Sequence, residues 1–212
     1  MKVKTEKLDA MLDELVAKKQ IRHAVIGLER GDGTFRRIGA AGAADADGTP
    51  MQGDTPYFTA SVTKLLVAAA VLKLWEQGKV ALDAPIVSLF AERLMSGLHT
   101  LGGADYTDRI TVAHLLTHTS GLPDWLDDTP RHGRSLLDSI DEGEDRFIDI
   151  EQAMEYVKDE LTPHFPPQDR GADKQRVRYS DTNFQLLELL IEQLAGRPLY
   201  EAFEELLYEP IG

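Results

Sequence analysis

The sequence predicts an α+β fold in which helices accompany a single antiparallel hairpin. Three observations carry this. About six segments repeat apolar residues at helical spacing, and one pair of short extended runs flanks a glycine turn. The 212 residues contain no cysteine, so a packed core and not a disulfide framework must hold the chain, and its length is sufficient for one.

Leu8, Met11, Leu12, Leu15 and Val16 set the first helix, over residues 8–17. Residues 24–30 and 34–39 then read as two strands around Gly31-Asp32-Gly33. Residues 40–56 are small and polar, hence loop. From Ser61 to Gly78 the pattern is helical and apolar on nearly every side, with Leu65, Leu66, Val67, three alanines, Val71, Leu72, Leu74 and Trp75. Such a helix is expected at the centre of the fold, with Gly78 as its C-terminal stop. Residues 110–118 form another helix, opened near Thr111 and closed before Gly121 and Pro123. Residues 124–151 hold ten acids and three arginines, which predicts a solvated excursion or lid. Helices follow at about 151–160, from Thr182 to Gly196, and from Leu199. A lone hairpin is marginal in water, and no later segment reads as a strand to complete its sheet. The organisation expected is one domain over 1–212, with the N-terminal helix and hairpin in 1–60 and the helical region in 61–212.

Composition removes several classes of function. Thirty-six Asp plus Glu against 23 Lys plus Arg give a net charge of −13, which argues against a phosphate-tracking surface and so against nucleic acid. No apolar run approaches the length of a membrane span. Met1–Lys7 lacks an apolar h-region, so no export signal is read there and a cytoplasmic protein is expected unless a leader has been removed. His114 and His118 are spaced as zinc ligands on a helix, but Leu115 stands where a metalloprotease needs Glu. Asp45, Asp47 and Gly48 half-match a calcium loop whose first ligand position is Ala43. No metal and no cofactor is expected.

Chemistry concentrates at Ser61-Val62-Thr63-Lys64. A hydroxyl and an amine three residues apart share one helix face, and the helix N-terminus favours a developing alkoxide at Ser61. Burial on an apolar helix lowers a lysine pKa toward the range of a usable base. Alone the motif is weak: seven serines and ten lysines in 212 residues make roughly 0.3 chance matches to Ser-x-x-Lys. Its position at the start of the most apolar helix strengthens it. The second candidate is Tyr179-Ser180-Asp181-Thr182-Asn183, before a helix. Read from Ser180 it is Ser-Asp-Thr, and read from Tyr179 it is Tyr-x-Asp. The plain alternative is that Ser180, Asp181 or Thr182 caps the helix that follows.

Three blocks occur in order: Tyr57-Phe58-Thr59-Ala60-Ser61-Val62-Thr63-Lys64, then Ile110 to Pro123, then Tyr179-Ser180-Asp181-Thr182-Asn183-Phe184. Together they resemble the serine β-lactamase and penicillin-binding protein superfamily. The likeness is to its class C-like branch, which also holds DD-peptidases, D-aminopeptidases and family VIII carboxylesterases. The resemblance implies a β-lactamase/transpeptidase-like fold with an antiparallel sheet and a helical region, and a serine hydrolase cleaving an ester, amide or peptide-like small molecule. It implies Ser61 as the acylated nucleophile, Lys64 as its hydrogen-bonded base or charge partner, and Tyr179 as the proton shuttle. Asp181 would contact substrate, at a position where relatives usually carry Asn. A carboxylate there would raise the lysine pKa and favour ammonium, leaving Tyr179 as the base. The second histidine of the Leu-Leu-x-His-x-Ser-Gly-Leu stretch, His118, reads as structural.

The family's third motif, on a strand supplying the second oxyanion donor, has no counterpart here, and relatives continue past a segment like Pro210-Ile211-Gly212. The expectation is a C-terminally incomplete fold, with a separate C-terminal segment as a possible complement. Two other readings stand beside the hydrolase. One is a catalytically silent peptide-binding relative or inactive fragment, and the other is an acidic interaction domain in which Ser61 and Lys64 are accidental neighbours.

Overall fold

The structure is a computed structural model and describes residues 5–18, 21–144, 146–169, 171 and 174–212. Residues 1–4 of the N-terminal stretch and Asp145 of the acidic stretch lie outside the described residues. The chain divides into two compact units, Met1–Thr59 and Ala60–Gly212.

In the first unit, helix α1 (Thr5–Val16) packs on a hairpin of β1 (His23–Glu29) and β2 (Arg36–Gly42). The hairpin is antiparallel, with His23 opposite Gly42 and Glu29 opposite Arg36. Leu12 of α1 is buried, and the same helix offers Asp9 to the Arg37 guanidinium at 2.6 and 2.7 Å. The turn is longer than the sequence predicts. Arg30 N–H donates to Phe35 and Gly33 N–H to Arg30, while Asp32 accepts from the Thr34 N–H and hydroxyl. Asp45, the half-match to a calcium loop, accepts the backbone N–H groups of Asp47 and Thr49, which makes it a turn residue. Among the described residues this sheet has two strands.

The second unit is helical. Its longer helices are α2 (Thr63–Glu76), α6 (Ile150–Glu160) and α7 (Asp181–Ala195), joined by the short helices α3 (Glu92–Met95), α4 (Val112–Leu116), α5 (Leu136–Asp141) and α8 (Leu199–Phe203). The core forms where α7 meets α2, α4, α6 and α8, around Val67, Val71, Leu74, Leu115, Met154, Leu187, Leu190 and Ile191. Gly196 ends α7 in the left-handed conformation that the sequence predicts for it. α4 opens with a reciprocal capping box, Thr111 hydroxyl to the His114 N–H and His114 Nδ1 to the Thr111 N–H. The other nitrogen of His114, Nε2, bonds the Gln168 carbonyl, so this histidine fastens a helix end to a loop.

Three expectations change. Helix α2 is not buried all round: Leu65 and Trp75 are 69% and 47% exposed, because its partners α7 and α8 lie on one side. A small hairpin, β3 (Thr100–Leu101) with β4 (Ala104–Asp105), turns through Gly102-Gly103 and escapes notice because two-residue strands carry no alternation. The acidic stretch is only partly solvated. Asp124 is 3% exposed, Ser135 and Leu136 are buried, and Trp125, Ile148 and Ile150 pack against the core. Its scattered apolar residues decide placement where they recur, and its total charge does not.

Gly121 has no tolerance for a side chain. It sits at φ +78°, and a Cβ there would lie 1.8 Å from the Phe165 carbonyl oxygen. Its own carbonyl accepts the His164 N–H at 2.9 Å, so the 119–122 and 164–168 segments run in close contact. Gly121→Ala is expected to lower stability by about 2–3 kcal/mol, read as a lower urea midpoint.

Candidate active site

The site is built at the N-terminus of α2. Ala60 takes φ +46°, and the turn Ala60–Val62, with Ser61 exposed in it, leads into the helix. Backbone N–H groups at a helix start lack intrahelical acceptors, which suits this end of α2 to a developing negative charge on Ser61. One turn on, Lys64 points along the same face, and its ammonium donates to Ser61 Oγ at 3.4 Å.

The other half comes from the segment before α7. Tyr179 Oη lies 2.8 Å from Ser61 Oγ, and Lys64 forms a salt bridge with Asp181. Tyr179 also donates a longer hydrogen bond, 3.5 Å, to Asp181 Oδ1. The two ends of this network have fixed roles, while either hydroxyl of the Ser61–Tyr179 pair can donate. An ammonium only donates and a carboxylate only accepts. When the Tyr179 O–H is directed to Asp181, the bond between the two hydroxyls runs from Ser61 O–H to Tyr179 Oη. All four residues singled out in the sequence, Ser61, Lys64, Tyr179 and Asp181, therefore meet in one cluster.

Electrostatics around Lys64 are set by two opposed influences. Burial pushes its pKa down. Hydrogen bonds to Asp181 and Tyr179 and the Asp181 charge push it up, and the net direction is upward from 10.5. The lysine is thus an ammonium at neutral pH, as the carboxylate at position 181 implies. The Lys64 and Asp181 side chains are 17% and 19% exposed, so the pair is largely withdrawn from water. The ammonium also sits 5.1 Å from the Tyr179 ring centroid and 5.7 Å from that of Phe184, which adds cation–π attraction.

The loop bearing Tyr179 is held by hydroxyls whose residue types suggest capping. Ser180 is the N-cap residue of α7 but makes no side-chain cap bond. Instead Ser180 Oγ and Thr182 Oγ1 both donate to the Pro123 carbonyl, at 2.9 and 2.6 Å. Thr182 Oγ1 also accepts the Trp125 N–H. Nearby, Asp128 accepts from Arg178 at 2.5 Å and pairs with His164 at 2.6 Å. Burial raises the Asp128 pKa, but hydrogen bonds from Asp124 N–H, His164 and Arg178 outweigh it and hold the group below its usual value.

Sequence reasoning undervalues two groups here. His118 stacks on Tyr179, with ring centroids 4.7 Å apart and planes at 28°. Asn183 is fully buried, donating through Nδ2 to His118 Nδ1 and accepting from Ser120 Oγ at 2.6 Å. The signal for Asn183 is the Tyr-x-Asp-x-Asn spacing, which places it two residues past Asp181 in the first turn of α7. His118 lies at φ +55°, which no pattern of residue types announces. Among the described residues no group of three or more His, Asp or Glu is placed to hold a metal ion, and no helix is long and apolar enough to cross a membrane.

This α+β architecture is shared with known proteins. The Beta-lactamase family profile matches residues 8–212, and the chain belongs to that family. It is 34% identical over 211 residues to Esterase EstB of Burkholderia gladioli, covering 97% of this chain and 49% of EstB. The D-stereospecific amidohydrolase from Streptomyces sp. superposes with a TM-score of 0.69 at 27% identity, covering 98% of this chain and 54% of that one. The D-amino acid amidase from Ochrobactrum anthropi SV3, complexed with D-phenylalanine, shares the fold with a TM-score of 0.73 at 22% identity, covering 98% and 50%. The chain therefore spans about half the length of these relatives.

Proposed function

We propose that this chain carries the nucleophile-bearing part of a serine hydrolase site that opens an ester or amide bond through an acyl-enzyme on Ser61. The observation that carries this reading is the network in which Tyr179 Oη, at 2.8 Å, and the Lys64 ammonium, at 3.4 Å, both meet the Ser61 oxygen. Ser61 Oγ bonds to the carbonyl carbon as its proton passes to Tyr179 Oη and the tyrosine's own proton passes to the leaving group. Deacylation reverses the relay: water gives its proton to Tyr179, and Ser61 recovers one. The serine–carbonyl bond that forms is broken again by water, so no further reactant is needed.

Lys64 is the charge partner of the developing alkoxide, and Asp181 keeps it an ammonium. Asp181 also faces the substrate. The Ser61 N–H is one oxyanion donor, and the part of the fold equivalent to the half of EstB that this chain does not span would supply the second. EstB is an esterase and the Streptomyces protein a D-stereospecific amidohydrolase, which favours a small ester or a D-amino-acid or peptide amide as the substrate here.

A fluorescent fluorophosphonate is expected to add to Ser61, located by peptide mass, and to leave the Ser61→Ala variant unmodified. An unlabelled wild type supports the silent peptide-binding relative instead, and a label persisting in Ser61→Ala moves the nucleophile elsewhere. With the full chain, p-nitrophenyl butyrate is expected to turn over faster than nitrocefin. Fast turnover of nitrocefin alone overturns the ester preference.

A further inference from the structure

We propose that His118 is the positioning residue for Tyr179, gripping the tyrosine's loop through an imidazole that is neutral and carries no proton on Nδ1. The inference deepens the acyl-transfer reading and rests on it for what Tyr179 does. It stands on the number and placement of the contacts that one residue makes. The His118 carbonyl accepts the Arg178 N–H at 3.0 Å. Its Nδ1 accepts the Ser180 N–H at 3.2 Å and Asn183 Nδ2 at 3.1 Å. Its ring face stacks on Tyr179 and also lies 5.1 Å from Phe184. The residues before, at and after the tyrosine are thus all held by His118. A glycine would fit φ +55° more easily, yet it would keep only the carbonyl contact.

The protonation state follows from the donors. A backbone N–H cannot accept, so the Ser180 bond requires a lone pair on His118 Nδ1. Protonating that nitrogen would aim one N–H at another and release both bonds. Three titratable groups face the ring: Lys64 from α2, Asp181 from the start of α7, and Tyr179 from the loop. Burial first and the Lys64 ammonium second lower the imidazole pKa from 6.5, while Asp181 opposes them. The grip therefore holds at neutral pH and fails in acid.

Two variants of the full chain separate positioning from plain structure. His118→Phe keeps an aromatic face and loses the acceptor. His118→Asn tolerates the left-handed backbone, offers an amide oxygen in place of Nδ1, and cannot titrate. The readouts are the rate of Ser61 labelling by a fluorophosphonate against pH and the imidazole 15N shifts of the wild type. Wild-type labelling is expected to fall in acid with the midpoint at which His118 titrates by NMR. His118→Phe should label at least tenfold more slowly at neutral pH. His118→Asn should stay within a few-fold of wild type there and lose the acid limb. Wild-type labelling by His118→Phe, an unchanged acid limb in His118→Asn, or 15N shifts placing a proton on Nδ1 at neutral pH would each overturn the proposal. If the wild type does not label at all, the acyl-transfer reading fails separately. The 15N shifts, with the Tyr179 ring resonances of His118→Asn and His118→Phe, then still decide whether His118 holds the tyrosine.

Discussion

Tyr179→Phe is expected to slow modification of Ser61 about a thousandfold, without a measurable loss of stability. The substitution deletes one oxygen, and that oxygen lies 2.8 Å from Ser61 Oγ. A positioned acid–base group contributes roughly 10²–10⁴ in rate, and here no second group is aligned to take the serine proton. Lys64 is closest, at 3.4 Å, but it is an ammonium paired with Asp181 and has no lone pair to offer. The ring itself stays, so its stacking on His118 is kept. Tyr179 is 46% exposed, and losing a half-exposed hydroxyl is expected to change stability by about 0.5 kcal/mol or less. The measurement is the second-order rate constant for labelling by a fluorophosphonate, beside a urea midpoint for each protein. A rate within threefold of wild type would show that Lys64 is the base and that the tyrosine is packing.

The parts of this molecule that the sequence makes legible are those in which local pattern and tertiary packing agree. The hairpin, α2 and α7 follow from extended runs, helical spacing and the stop at Gly196, and in α7 the core residues Leu187, Leu190 and Ile191 are the ones the periodicity selects. Ser61 and Lys64 are readable because a three-residue spacing on a helix leaves them little freedom to diverge. Tyr179 and Asp181 lie 118 and 117 positions away from their partners, so only the likeness to a family of known site joins them to Ser61 in advance. What stays hidden depends on backbone geometry. The left-handed turn at His118 and the contact between Gly121 and Phe165 need the fold before they exist. The hydroxyls of Ser180 and Thr182 show how a correct propensity can serve another partner. Both residues favour a helix start, but the Pro123 carbonyl is buried beside them and takes both donors.

Asp181 supplies the carboxylate paired with Lys64, and replacing it tests what the lysine does. In Asp181→Asn the carboxylate's hydrogen bond and charge are both gone, so burial becomes the dominant influence and the Lys64 pKa falls. If the ammonium stabilises the alkoxide, labelling of Ser61 should then fail at lower pH than in wild type, and the alkaline limb moves toward neutrality. If a free amine were the base, the same variant would label faster at neutral pH. That outcome would overturn the role given to the ammonium. Lys64→Met should slow labelling about 10²–10³-fold, the usual loss for one preorganised charge or donor at a reacting oxygen.

Stability supplies an independent reading of the same pair. A lysine whose folded pKa lies above 10.5 contributes stability that is fully present below that value and is lost as pH rises through the folded pKa. Wild type should therefore show no dependence on this group between pH 6 and 9 and should weaken only in strong alkali. Asp181→Asn reverses the sign: its buried lysine now weakens the fold at every pH below the lowered pKa. Removing one partner of a pair this shielded is expected to lower stability by about 3 kcal/mol, because the other charge stays without compensation. Lys64→Met combined with Asp181→Asn leaves no such charge and should regain most of the loss while the labelling rate stays low. Stability and rate would then part company in one protein, which a purely structural ion pair does not predict.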